Sequence, residues 1–430
     1  MAGASDKARF YLEQSVPELQ EFERKKVFSR DEIGQIARKR SDFEHKLNAR
    51  GSQPSDYARY AEYEINLETL RRKRVKRLGI KVNSHAGQRR IFFVLDRATR
   101  KFQGDLGLWM QYIDYARREK ANKKLSEIFG SILRFHPTKP ELWIYAARHA
   151  MDVQADMAAA RSYMQRGLRF CKSSKLLWLE YAKLELGYVT KIAARRKILG
   201  LAQGPSNQQV DPSESNNEDT IALPVITAED IDPSTSQDGS IDHDALQTLS
   251  STPALTGAIP LAVFDAAMKQ FQNDESLAMS FFDLFTEFHE VPCLQKLLEH
   301  VVRSSLSFSP TDPSSLICYV RQPVALIDLQ SPDAPRALGL SRDRLKVSFQ
   351  KTPRKAELVE RSILWLHGLL QHENLDEGIR RVLLATLRQT RSVLEDNYIS
   401  EGDFAGLVER LEDAGLADEV QRMQLKRKSK

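Results

Sequence analysis

Three tryptophans at near-constant spacing set the strongest constraint on this chain. Trp109, Trp143 and Trp178 are separated by 34 and 35 residues, an interval that fits one helix–turn–helix unit of a helical solenoid. Aligned on the indoles, other positions fall into register. Three residues on stand Tyr112, Ala146 and Tyr181, and four on stand Ile113, Ala147 and Ala182. Steps of i, i+3 and i+4 put each group on one helical face. Nine residues before the rings lie Arg100, Arg134 and Arg169. Fourteen before lie Leu95, Phe129 and Met164, on the preceding helix. A large ring beside a small residue lets two helices approach closely. One helix pair cannot bury such a stripe alone, so neighbouring pairs must stack. The predicted fold class is therefore all-α, an α-solenoid, with function in the surfaces it presents rather than in a pocket.

The copies are unequal. Trp178-Leu-Glu-Tyr-Ala-Lys-Leu-Glu185 reads W-x-x-Y-A-x-x-E, and Tyr57-Ala-Arg-Tyr-Ala-Glu-Tyr-Glu64 repeats it with Tyr in the Trp position, with Phe43 fourteen residues upstream. This pattern resembles the first helix of the HAT (half-a-TPR) repeat. The middle copies depart from it, with Ala116 and Ala150 where the others have Glu. No copy shows the W-x-x-L-G of the ordinary tetratricopeptide repeat. The predicted repeat core comprises Tyr57, Tyr60, Trp109, Tyr112, Trp143, Ala147, Trp178, Tyr181 and Ala182.

Further motifs precede these repeats. Val16-Pro-Glu-Leu19, Lys26-Val-Phe-Ser29, Asp31-Glu-Ile33, Lys39-Arg-Ser-Asp-Phe-Glu44 and Leu67-Glu-Thr-Leu-Arg-Arg-Lys-Arg74 follow one another in order. Together they resemble the U3 small nucleolar RNA-associated family of HAT-repeat subunits in the small-subunit processome, over roughly residues 5–200. The resemblance implies a nuclear, nucleolar scaffold in early 18S ribosomal RNA maturation. It also implies membership of the UTP-B subcomplex, whose other members are mainly WD40 propellers. U3 RNA and pre-ribosomal RNA would be reached mostly through the assembly.

The order of elements follows from caps and breakers. Residues 1–50 are expected to hold the N-terminal helices. Pro17 either interrupts a first helix over 4–28 or sits in the first turn of a second one capped by Ser15. Ser29-Arg-Asp-Glu32 is a capping box opening a helix to about Asn48. Residues 51–200 are the HAT repeats. Residues 203–258 hold ten acidic residues and no Lys or Arg, with abundant Pro, Ser, Asn and Asp. Such a stretch buries too little apolar area to offset chain entropy and is expected to be a disordered linker. Residues 259–321 are expected to form degenerate helical repeats, with Phe281, Phe285 and Phe288 on one face. A Pro-containing loop is expected over 322–354, then C-terminal helical repeats over 355–430 with a helix pair at 403–422, a break at Gly415 and a basic tail.

Charge is uneven. The net charge is +6, but outside 203–258 there are 64 cations against 48 acids. The densest run is Arg71, Arg72, Lys73, Arg74, Lys76 and Arg77. Six cations in seven residues repel one another and gain from an anionic partner, so an RNA-phosphate contact or a nuclear-import signal is one reading. A solvated helix end is the other. No ring is interleaved in the run, so base stacking is not indicated there.

Other chemistry is missing. No apolar stretch approaches the ~20 residues of a membrane span, and the first residues lack an apolar secretory core. The three cysteines, Cys171, Cys293 and Cys318, argue against a disulfide framework. His289, Cys293 and His300 fall short of a four-ligand zinc set, and ordinary packing is expected. There is no G-x-x-x-x-G-K-[ST], H-E-x-x-H, G-x-S-x-G or paired C-x-x-C motif. The chain is therefore expected to have no cofactor, no small-molecule substrate, no membrane partner and no catalysis. The alternatives are a HAT-repeat scaffold of pre-mRNA splicing or 3′-end processing, and a helical-repeat prenyltransferase subunit, whose Trp–Arg pattern does not recur here.

Overall fold

A computed structural model describes residues 4–80, 85–198, 253–289, 291–372, 375–396 and 408–411. Expectations for residues 203–252, for Gly415 and for the basic tail lie outside the described residues. Within them the protein is all-α, with seventeen α-helices and no strand. None of these helices is long and apolar enough to cross a membrane. The chain divides into two compact units, Met1–Gln154 and Ala155–Lys430.

The first unit contains α1 (Ala4–Glu13), α2 (Val16–Arg24), α3 (Arg30–Asn48), α4 (Pro54–Leu78), α5 (Ala86–Lys101), α6 (Leu106–Arg118), α7 (Asn122–Phe135) and α8 (Pro140–Asp152). Pro17 lies in the first turn of α2, where its missing N–H would have had no intrahelical acceptor. Ser15 precedes that helix but does not cap it with its side chain. Its hydroxyl donates 2.7 Å to the Leu12 carbonyl and closes α1 instead. The capping box of α3 is formed on both sides: Ser29 Oγ accepts from Glu32 N (3.2 Å) and Glu32 Oε2 accepts from Ser29 N (2.9 Å). Helix α4 ends because Gly79 adopts φ +65, a left-handed conformation that costs a residue without Cβ little.

From α5 to α8 each helix packs on the next. The rings fasten helices to the loops before them. Trp109 Nε1 donates 2.9 Å to the Gln103 carbonyl and Trp143 Nε1 donates 2.9 Å to the Pro137 carbonyl, each acceptor six residues upstream. Both indoles are buried, with Ile113, Ala116, Ala146 and Ala147 inaccessible beside them in sequence. The small residues let the helices close on one another.

The second unit contains α9 (Met157–Phe170), α10 (Lys175–Ile198), α11 (Ala258–Gln270), α12 (Glu275–Thr286), α13 (Leu294–Phe308), α14 (Pro313–Ala325), α15 (Ala334–Lys351), α16 (Lys355–Leu370) and α17 (Glu377–Asp396). Helical order begins before Ile259: Pro253–Thr256 is a 3-10 turn and α11 opens at Ala258. Phe264, Phe281, Phe282 and Phe285 are fully buried, and Phe264 meets Phe281 edge-on at 5.4 Å. Phe288 lies past the end of α12 and is only half-buried.

The expected loop over 322–354 is corrected. Most of it is the 18-residue helix α15. Pro335 falls in the first turn of α15 and Pro323 in the last turn of α14, so neither interrupts a helix centre. Ala334, Ala337 and Leu338 of α15 then join Val324, Leu366, Ile379, Leu383 and Leu387 in one apolar cluster.

Candidate functional site

The motifs that precede the tryptophans converge on a buried ionic core. Arg40 of α3 is 1% exposed. Its Nε and Nη2 donate to the two oxygens of Glu64 on α4 at 2.8 and 2.9 Å, and its Nη1 reaches Glu18 of α2 at 3.3 Å. Arg90 of α5 pairs with the same Glu18 oxygen at 3.5 Å. Arg97 holds Glu44 through two bonds of 3.0 Å. Arg71 holds Glu68 through two of 2.7 Å. Burial by itself pushes the Arg40 guanidinium towards losing its proton. Glu64 and then Glu18 more than offset this, so its pKa rises. A cavity of about 10 Å³ lies among Glu18, Arg40, Glu64, Glu68, Arg71 and Gly87, at the lower limit for one water. A side chain at position 87 would meet the Glu68 carboxylate, which would have to shift from its bonds to Arg71 and Arg72.

This core is where the sequence motifs meet. Glu18 comes from the first, Ser29 and Phe28 from the second, Glu32 from the third, Arg40 and Glu44 from the fourth, and Glu68, Arg71, Arg72 and Arg74 from the last. Their order along the chain was legible, but their mutual pairing was not. One available signal lies in the repeats themselves. Arg40 and Glu64 are 24 residues apart, and so are Arg161 and Glu185, whose two bonds are 2.7 and 2.8 Å. Both glutamates stand seven residues after the repeat ring. In the middle copies the same two positions are Phe92 with Ala116 and Ser126 with Ala150. The ion pair is present or absent as a pair, as expected when either charge alone would be buried without its partner.

The basic run splits by direction. Arg71 faces inward as described. Arg72 bonds Glu68 (2.8 Å) and Glu119 (3.0 and 2.8 Å). Arg74 bonds Glu32 (2.8 and 2.7 Å) and the Val27 carbonyl (3.2 Å), with its guanidinium 4.8 Å from the Phe28 ring. Lys73, Lys76 and Arg77 are exposed, with no ion pair or side-chain hydrogen bond among the described residues. They lie at i, i+3 and i+4 on one face. Like charges at these spacings cost roughly 0.2–0.5 kcal/mol per pair, so nothing in the fold itself calls for all three.

Glu32 gives this arrangement a pH signature. The Arg74 hydrogen bonds, then the Ser29 N–H, hold its carboxyl down at about 2. That lies below its unfolded value of about 4.3. The contribution is therefore fully present above about pH 4.3 and is lost as pH falls towards 2. In Glu32→Gln the acid limb of stability between these values becomes shallower; an unchanged limb in acid-unfolding curves would count against the pairing.

The expected repeat core is distributed as follows. Tyr57, Tyr60, Trp109, Tyr112, Trp143, Ala147, Tyr181 and Ala182 are buried, and Tyr60 stacks on Phe43 at 5.0 Å. Trp178 differs. It is only half-buried, and its Nε1 is enclosed without a hydrogen-bond partner among the described residues. The loop bond made by Trp109 and Trp143 is not repeated there. Elsewhere His300 Nε2 sits 2.7 Å from Asp265, Cys293 is buried and His289 is exposed. Among the described residues no group of three or more His, Cys, Asp or Glu is placed to hold a metal ion.

Comparisons with known proteins fall on the same region. Residues 12–96, which carry the ionic core apart from Arg97, match the family model described as U3 small nucleolar RNA-associated protein 6. The chain is 40% identical over 239 residues to U3 small nucleolar RNA-associated protein 6 of Schizosaccharomyces pombe, covering 53% of this chain and 48% of that protein. It is 33% identical over 190 residues to the human homolog, covering 43% and 32%, and 28% identical over 187 residues to that of Dictyostelium discoideum, covering 43% and 31%. The alignments thus span about half or less of the length of the relatives matched.

Proposed function

We propose, from the match of residues 12–96 to the U3 small nucleolar RNA-associated protein 6 family model, that this chain is a noncatalytic scaffold of the small-subunit processome. In this reading it acts in the nucleolus, in the pre-ribosomal RNA processing that yields 18S RNA. Its partners are the WD40 propeller subunits of the UTP-B subcomplex, and U3 RNA is reached mostly through them. The observation that carries the reading is the coincidence of the family match at 12–96 with the buried ionic core. A core of this kind fixes how α2, α3, α4 and α5 pack and so fixes the surfaces they present. A stacked-helix architecture favours this role because it offers broad outer walls. The thiols suit it as well: burial pushes Cys318 up to about 12, far from a thiolate nucleophile at neutral pH.

Affinity purification of the tagged full chain from a eukaryotic cell, followed by sequencing of bound RNA and identification of bound proteins, tests the proposal. U3 RNA with propeller subunits is the expected outcome. Recovery of spliceosomal RNAs instead would place the chain in the splicing machinery and overturn it.

A further inference from the structure

Helix α4 carries more positive charge than its packing uses. Three of the six cations in its basic run are tied to carboxylates, Arg71 to Glu68, Arg72 to Glu68 and Glu119, and Arg74 to Glu32. The other three point away from these contacts. We propose that Lys73, Lys76 and Arg77 form a direct contact for the phosphodiester backbone of RNA, which goes beyond an association carried by partner proteins.

The division of the run argues against its use as a detachable import signal. To read the segment as a free basic peptide, a receptor would have to strip three arginines from their carboxylates and unwind the last turns of a 25-residue helix. The outward face needs no rearrangement. Its cations are fixed on a regular helix about 5–6 Å apart at Cβ. The exposed positions of α4 after Glu62 are Asn66, Thr69, Leu70, Arg72, Lys73, Lys76, Arg77 and Leu78, with no acid among them. Lys26, in the turn whose Val27 carbonyl Arg74 grips, is likewise exposed and without an ion pair among the described residues.

The face carries no ring among its exposed positions. It therefore offers charge to a backbone rather than a platform to bases, and binding should be indifferent to sequence. An acidic protein segment fits less well. Leu70 and Leu78 are the exposed apolar residues on this face, about 12 Å apart along the helix, too far to act as one anchoring patch.

The test uses the full chain and a fluorescent 20-nucleotide oligouridylate, with anisotropy measured across a salt series. The variant is Lys73→Ala with Lys76→Ala and Arg77→Ala, all at exposed positions, with its helical circular dichroism checked against wild type. Each lost phosphate contact on a single strand lowers the slope of log affinity against log salt by about 0.7. The triple variant should therefore bind more weakly, with a slope shallower by about 2. The charge-preserving set Lys73→Arg, Lys76→Arg and Arg77→Lys should retain both affinity and slope. No binding by wild type, or equal slopes in wild type and the alanine variant, overturns the proposal. So does a polyglutamate of matched charge that binds as tightly as the RNA and loses as much in the alanine variant, since the face would then be a protein-docking surface. Copurification of U3 RNA from cells reads the scaffold assignment separately, because partner subunits would maintain it without this face.

Discussion

Replacing Arg40 with Ala should destabilise the first unit by about 3–5 kcal/mol, the usual cost of removing one member of a buried charge cluster. The guanidinium links Glu64 to Glu18, and without it Glu64, 2% exposed, loses its bidentate partner. A carboxylate left there must stay charged in a poor solvent or take up a proton, and both outcomes disfavour the folded state. For a unit of this size the loss corresponds to a fall in melting temperature on the order of 10 °C. Calorimetry on the full chain would read it as a shift of one transition. Replacing both partners, Arg40→Met with Glu64→Leu, should recover much of the loss, because apolar groups of similar volume do not need solvating. Glu18 retains Arg90 in that variant. A single substitution that leaves the melting profile unmoved would show that water reaches Arg40 and that the core is not dry.

The second large effect is at Trp143. Truncation to Ala should cost about 3–5 kcal/mol, because the variant loses the ring's packing and the bond from Nε1 to the Pro137 carbonyl together. The useful control is Trp178. Its ring is less deeply buried and its Nε1 is enclosed without an acceptor among the described residues, so Trp178→Ala should cost clearly less. Trp178→Phe removes an unsatisfied donor and should be close to neutral. Equal losses at the two tryptophans in urea unfolding would mean that the difference in burial carries no energetic weight.

The contrast between these two indoles shows how far spacing can be read. A period of 34–35 residues identifies equivalent positions. It does not report how deep each position lies, because depth depends on which helices come to rest against it. The same holds for the basic run. Six adjacent cations look alike in sequence, yet the 3.6-residue turn of α4 directs Arg71 and Arg74 towards carboxylates on one side and Lys73, Lys76 and Arg77 towards solvent. Prolines misled over 322–354 for a related reason: Pro335 sits in the first turn of α15, where its N–H would have had no intrahelical acceptor, and Pro323 sits in the last turn of α14, where the Tyr319 carbonyl four residues back accepts from Arg344 Nη1 at 2.8 Å instead.

By itself, then, the sequence determined what is local or periodic: the all-α class, the capping box at Ser29, and the ring-and-small-residue stripes of the repeats. These depend on contacts within a few residues or on a period that helix geometry imposes. Only the tertiary structure decided which charges meet. Arg40 lies 22 residues from Glu18 and 24 from Glu64, and Arg97 lies 53 from Glu44. Such pairs form because packing the apolar stripes brings those positions together in a space with little water, where an ion must find its counter-ion or be excluded.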